Sequence, residues 1–162
     1  EARIKFPGGK GTWPAFWMMG NSGNWPNCGE IDIMEHVGSI PNRASFALHT
    51  VEKNGTRGNN WHSTEMFDYS LADDFHTYAV EWAQEEKDGK DVIRFFVDGV
   101  QYAEQWEAKI DNNDSWPFNK PHFIILNLAI GGTMGGSVDD AIFNVPRIMY
   151  VDYVRVYQRT EK

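Results

Sequence analysis

The stretch VIRFFVDGVQYAEQW, residues 92–106, decides the fold. Its first half is aromatic and β-branched, which suits a pleated, packed strand. Asp98-Gly99 then breaks the run. That pair accepts positive φ at the turn, and a two-residue connection of this kind folds one strand back on the next. An antiparallel hairpin is the reading. Outward from it, AFWMM (15–19), EIDIM (30–34), ASFALHT (44–50), HTYAVEW (76–82), HFIILNLAIG (122–131) and YVDYVRVYQ (150–158) repeat the period of two. Gly, Asn, Asp and Pro clusters separate them, and no segment carries a sustained helical stripe. The chain reads as an all-β sandwich of antiparallel strands in one domain. Long loops are expected at 51–66 and 103–121, and GGTMGGS (131–137) reads as a loop too glycine-rich to hold a fixed shape unaided.

Composition narrows the function. Seven Trp, ten Phe and six Tyr in 162 residues exceed what a generic core uses, and suit a mixture of aromatic core and flat platforms for sugar rings. The net charge of −8 repels phosphate and sulfate, so nucleic acid, anionic membranes and heavily sulfated glycans are not expected partners. No run is long enough to cross a bilayer. The single Cys28 leaves no internal disulfide and no cysteine-based zinc site. Its PNCGE setting reads as packed rather than reactive.

The chemistry concentrates in WPNCGEIDIMEHVG, residues 25–38. Residues two apart on a strand share a face, so Ile31 and Ile33 point to the core while Glu30 and Asp32 point away. Glu35 lies at an odd offset from Glu30 and would face inward on a regular strand. One inserted residue, a β-bulge for which Met34 is the candidate, restores the parity. The Cα atoms of Glu30 and Glu35 are then roughly 13 Å apart at about 3.3 Å per residue. Side chains that lean together close this to about 5–6 Å, near the spacing of retaining rather than inverting glycosidases. Three crowded carboxylates resist joint ionisation, so at least one should hold its proton into the range of a general acid. Two plainer readings compete. A solvated outer face is disfavoured by the apolar flanks, and a Ca²⁺ site by the lack of a carbonyl-rich loop.

At these residues the chain resembles glycoside hydrolase family 16. GEIDIMEHVG is similar to the family's bulged active-site signature. ARIKFPGGKGTWPAFWMMG, DFHTYAVEW, IRFFVDGVQY, WPFNKPHFIILNLAIGG and YVDYVRVYQ resemble, in order, its bacterial laminarinases. The resemblance implies a concanavalin-like jelly roll of two curved antiparallel sheets with glucan in the concave cleft. It also implies retaining endo-hydrolysis of β-1,3-glucan, with Glu30 as nucleophile, Glu35 as general acid/base and Asp32 assisting. Trp17 shares a face with Ala15 and Met19, where the family places a cleft aromatic. His49 follows the small residues Ser45 and Ala47 on one face and is placed to hydrogen-bond the acids or a sugar hydroxyl. Asn127 is a polar interruption of an apolar run, and the matching family residue points into the cleft. Trp25, and less directly Trp13, would wall it. No cofactor is implied for catalysis, but a structural Ca²⁺ is, with Asp152 as one ligand.

Family domains begin well upstream, so residues 1–162 read as the C-terminal majority of a catalytic domain. Its N-terminal strands would be missing, or carried on a second, nicked chain as a partner. Without them YVDYVRVYQ would keep an unpaired edge. GGTMGG also departs from the tryptophan-bearing loop common among laminarinases. The polymeric β-glucan substrate implies a secreted, cell-surface or periplasmic location. Two alternatives stay open: a hydrolase of agar- or carrageenan-type galactans, and a non-catalytic glucan-binding module on the same fold.

Overall fold

The computed structural model describes residues 1–107 and 116–160. Ten strands form two five-stranded sheets. They are β1 (Ala2–Lys5), β2 (Thr12–Gly20), β3 (Glu30–Glu35), β4 (Arg43–His49), β5 (Trp61–Met66), β6 (His76–Lys87), β7 (Lys90–Val97), β8 (Val100–Trp106), β9 (His122–Ile130) and β10 (Tyr150–Val154). A one-turn helix, α1, spans Gly132–Gly135. One sheet runs β10-β1-β6-β7-β8 and the other β5-β4-β3-β2-β9, with antiparallel pairing throughout. This is the jelly-roll sandwich expected. Among the described residues no helix is long and apolar enough to cross a membrane.

The Asp98-Gly99 turn forms as read, with φ of 50° and 77°. Asp98 adds a lock. One carboxylate oxygen accepts from the Thr77 amide at 2.8 Å and the other lies 2.7 Å from His76 Nδ1.

The alternation read from the sequence sets the core. Ala44, Phe46 and Leu48 of β4 and Ile31 and Ile33 of β3 face inward and are essentially fully buried. They meet Ile93, Phe95 and Val97 of β7. The Phe46 and Phe95 rings lie 5.4 Å apart, as do those of Trp61 and Phe95, an edge-tilted or offset spacing that aromatic pairs favour. Cys28 is buried.

Three loop expectations are corrected. The expected loop at 51–66 holds β5, whose alternate residues are half-buried and exposed. Its polar sequence, WHSTEM, hides a strand that needs only one face covered. The loop expected at 103–121 begins later, since β8 continues to Trp106; residues 108–115 lie outside the described residues. GGTMGGS is no free loop, because α1 occupies it and the Gly131 amide donates to Gly11 O at 2.7 Å. At the far edge, β1 pairs β10 from Ala2↔Val154 to Lys5↔Tyr150. Among the described residues β10 is therefore an edge strand with one partner, and strand geometry ends at Val154 rather than continuing through residue 158.

Candidate active site

The acid cluster is built by a break in register on β3. Against β2, Trp17 pairs Asp32 while the next residue back, Phe16, pairs Met34. Ile33 is skipped. Against β4, Asp32 pairs Ala47 and Glu35 pairs Ser45, so Ile33 and Met34 together oppose Phe46. The bulge exists, but the residue it leaves without a partner on β2 is Ile33, not Met34. Both side chains are buried in the core, which explains the local sequence. Two consecutive apolar residues turn inward, and the acids on either side emerge on one outer face.

That face is organised in rows across the sheet. Glu30 lies between Met19 and His49, Asp32 between Trp17 and Ala47, and Glu35 between Ala15 and Ser45, with Asn127 beyond Ala15 on β9. All the residues proposed from sequence for catalysis, together with Trp17, His49 and Asn127, therefore share one surface. Trp25 joins them from the loop before β3, its indole N–H donating to Glu30 Oε2. Trp17 donates to Asn127 Oδ1 at 2.7 Å, which supplies a partner for the half-buried amide.

Two residues matter more than the sequence suggested. The Trp13 indole N–H donates to Glu35 Oε1 at 3.1 Å, and the Arg43 charge also acts on Glu35. Period two puts Trp13 on the face of Ala15 and Trp17 and Arg43 on that of Ser45 and His49, but their reach to Glu35 depends on the length of each side chain.

Electrostatics separates the acids. Asp32 is almost completely buried, and desolvation pushes its carboxyl well above the usual range, reinforced by the charges of Glu35 and Glu30 and by a hydrogen bond with Glu30. A proton on Asp32 makes it a donor to its neighbour. Glu35 is raised to about 7, chiefly by desolvation and then by Glu30, while Trp13 and Arg43 pull it back. Burial thus favours the neutral form of Asp32, and Glu35 is poised near neutrality.

Glu30, Asp32 and His49 offer ligand atoms within 4.8 Å of one another, a grouping that could suggest a metal. The histidine's tautomer argues otherwise. The Gly55 amide donates to His49 Nδ1 at 3.0 Å, so in the neutral ring the proton sits on Nε2 and no lone pair remains there for a cation. Burial favours that neutral ring. The Nε2 atom lies 3.1 Å from Asp32 Oδ2 and 3.9 Å from Glu30 Oε1. The shorter approach is off the line of the N–H, leaving Oδ2 without a well-formed bond. His49→Gln, which can place an N–H₂ where Nε2 stands, is therefore expected to keep kcat within about tenfold. His49→Asn, too short to do so, should lose roughly ten- to a hundredfold, because no N–H then faces the Asp32–Glu30 pair. Steady-state kinetics on laminarin compares the two.

Asp152, the residue expected to ligate a structural calcium ion, lies on exposed β10 and accepts from Arg3 Nη1 at 2.9 Å. Among the described residues Asp152 joins no group of three carboxylate, histidine or cysteine ligands.

Comparison with known proteins places the chain in a family. The family model described as "Glycosyl hydrolases family 16" matches residues 1–152. A β-glucanase of Rhodothermus marinus is 39% identical over 172 aligned residues, covering 99% of this chain and 57% of that protein. A keratan-sulfate endo-1,4-β-galactosidase of Sphingobacterium multivorum is 36% identical, covering 98% of this chain and 36% of its own length. The crystal structure of SCLam, a non-specific endo-β-1,3(4)-glucanase, superposes with a TM-score of 0.86 at 41% identity, covering 98% of this chain and 57% of that one. The chain thus spans between about a third and little more than half of the length of these relatives. With its sheet order, its bulged acid strand and this match over nearly all its residues, the chain belongs to glycosyl hydrolase family 16.

Proposed function

We propose that this chain carries the catalytic centre of a retaining endo-β-1,3-glucanase. The observation that carries the reading is the bulge, which places Glu30 and Glu35 on one face with Asp32 between them. Glu30 attacks the anomeric carbon while Glu35 protonates the departing glycosidic oxygen. A covalent glycosyl-enzyme forms. Glu35, now a carboxylate, draws a proton from water, which displaces Glu30 and restores the original anomer. Asp32 holds its proton and hydrogen-bonds Glu30, and with Trp25 it stabilises the carboxylate that is released in the second step. Trp17 and Asn127 form the adjoining wall, where an indole face stacks on a glucose ring and an amide orients it.

β-Glucan is favoured because the SCLam and R. marinus proteins that this chain resembles are described as glucanases. The similarity to a keratan-sulfate galactosidase keeps a galactan in the comparison. The net charge of −8 opposes sulfated polymers. A polymeric substrate places the protein outside the cytoplasm, secreted, on the cell surface or in the periplasm. Incubation with laminarin, mixed-linkage glucan and agarose, followed by reducing-end release, tests the assignment. Laminarin and mixed-linkage glucan should be cut and agarose should not. Cleavage of agarose alone would favour the galactanase reading, and binding of laminarin without cleavage the non-catalytic one.

A further inference from the structure

The GGTMGG turn has no role in the account so far, yet it lies against the residue that holds Glu35. Its backbone is tied to the start of β2 by the Gly131 amide, which donates to Gly11 O at 2.7 Å, and closed on itself by the Gly136 amide, which donates to Gly132 O at 3.0 Å. A methyl group added at Gly132 would stand 3.2 Å from Trp13 Cζ3 and 3.5 Å from Cε3. One added at Gly135 would stand 3.5 Å from Trp13 Cβ and 3.0 Å from Gly11 O. Bare backbone therefore lies against the indole. The residue opposite Trp13 on β9 is Ala129, too small to wall the ring in. The N–H of that indole donates to Glu35 Oε1.

We propose that α1 is a positioning element of the active site, its bare glycine backbone setting the depth of the Trp13 ring and Trp13 in turn aiming the Glu35 carboxyl. Glycine at 132 is required twice. Its φ is +76°, and its missing Cβ leaves the space the ring occupies. Any side chain there presses on the ring, which must yield by a few tenths of an ångström. The Trp13–Glu35 bond lengthens or tilts, and a bond to an ionised group is sensitive to both. Trp13 and Gly132 are positioning residues, acting through Glu35. The proposal rests on the reading of Glu35 as acid/base.

Gly136 supplies the control. It too has positive φ, +67°, but a Cβ there meets nothing within 4 Å. Gly132→Ala and Gly136→Ala both strain the backbone, and only the first touches Trp13. The measurement is the pH profile of kcat/KM on laminarin, with kcat and KM resolved separately. Loss of the indole donor disfavours the Glu35 carboxylate, so Trp13→Phe should move the alkaline limb upward by about one pH unit. Gly132→Ala should move it the same way by less, lowering kcat with KM within about twofold. Gly136→Ala should leave it in place. In the Trp13→Phe background Gly132→Ala should add nothing, as expected of two changes acting through one contact. If Gly132→Ala does not fold, Gly132→Asn replaces it, since Asn tolerates positive φ better. In the unaltered protein the Trp13 indole ¹H–¹⁵N signal, assigned by its loss in Trp13→Phe, should titrate with the alkaline limb.

Equal shifts from Gly132→Ala and Gly136→Ala would overturn the proposal. So would a Gly132→Ala shift that persists without Trp13, or an indole signal that does not titrate. The parent reading fails differently. Glu35→Gln would then keep its alkaline limb on an aryl β-glucoside whose leaving group needs no protonation.

Discussion

Glu30→Ser is expected to lower kcat on laminarin by about 10⁵-fold or more, while laminari-oligosaccharides still bind. Serine cannot form the glycosyl ester, and the platforms that hold the sugar, Trp17 and Asn127, are untouched by the change. The space vacated by the carboxyl should admit a small anion. Azide should therefore restore turnover and yield a glycosyl azide of inverted configuration, because it attacks from the face that Glu30 used. The Trp25 indole loses its acceptor, which will loosen that wall but supplies no nucleophile. Stopped kinetics, titration of oligosaccharide binding and product NMR check the three parts. Undiminished hydrolysis by Glu30→Ser would remove Glu30 from the nucleophile's role.

Glu35→Gln should lose activity and gain stability together. Loss of the proton donor is expected to cost about 10²- to 10⁴-fold in kcat on laminarin. The stability effect depends on pH. The Glu35 carboxyl titrates at about 7 in the folded protein against an ordinary 4.5, so the folded state holds this proton more tightly than the unfolded chain. Its contribution is fully present below about pH 4.5 and is lost as pH rises through 7. A difference of 7 − 4.5 is worth about 3 kcal/mol at pH 8. Glutamine never ionises and escapes that loss. Urea unfolding should therefore show Glu35→Gln more stable than the parent by about 3 kcal/mol at pH 8, and nearly equal to it at pH 4.5. His36 acts in the opposite sense. Burial lowers its ring to about 4 from 6.5, so its contribution is complete above 6.5 and fades as pH falls toward 4. The two slopes oppose each other in the parent, and only the difference between variant and parent at one pH isolates Glu35. A stability gain of the same size at both pH values would contradict the burial account of this residue.

The sandwich was legible wherever one face of a strand is apolar and the other is not. ASFALHT shows this: Phe46 and Leu48 went to the core and Ser45, Ala47 and His49 to the open face, as period two requires. The bulge was legible from parity alone, since Glu35 could reach the face of Glu30 in no other regular way. Which residue loses its partner was not, because Ile33 and Met34 are both apolar, both buried and both opposite Phe46. β5 escaped notice because WHSTEM is polar at alternate positions on a strand with one solvated side, and β1 because ARIK offers only four residues. Period two places Trp13 on the face of Ala15 and Trp17 and Arg43 on that of Ser45 and His49, but their hold on Glu35 arises from side-chain reach across the sheet, which no spacing along the chain encodes. The Gly55 amide that fixes the His49 tautomer belongs to the same class.

The most direct measurement is to trap the intermediate. A 2-deoxy-2-fluoro laminaribioside with a good leaving group slows the second step more than the first, so the glycosyl-enzyme accumulates for peptide mapping by mass spectrometry. The bulge account predicts a single glycosyl adduct, on Glu30. An adduct on Glu35 or Asp32, or turnover with inversion and no adduct, would contradict it.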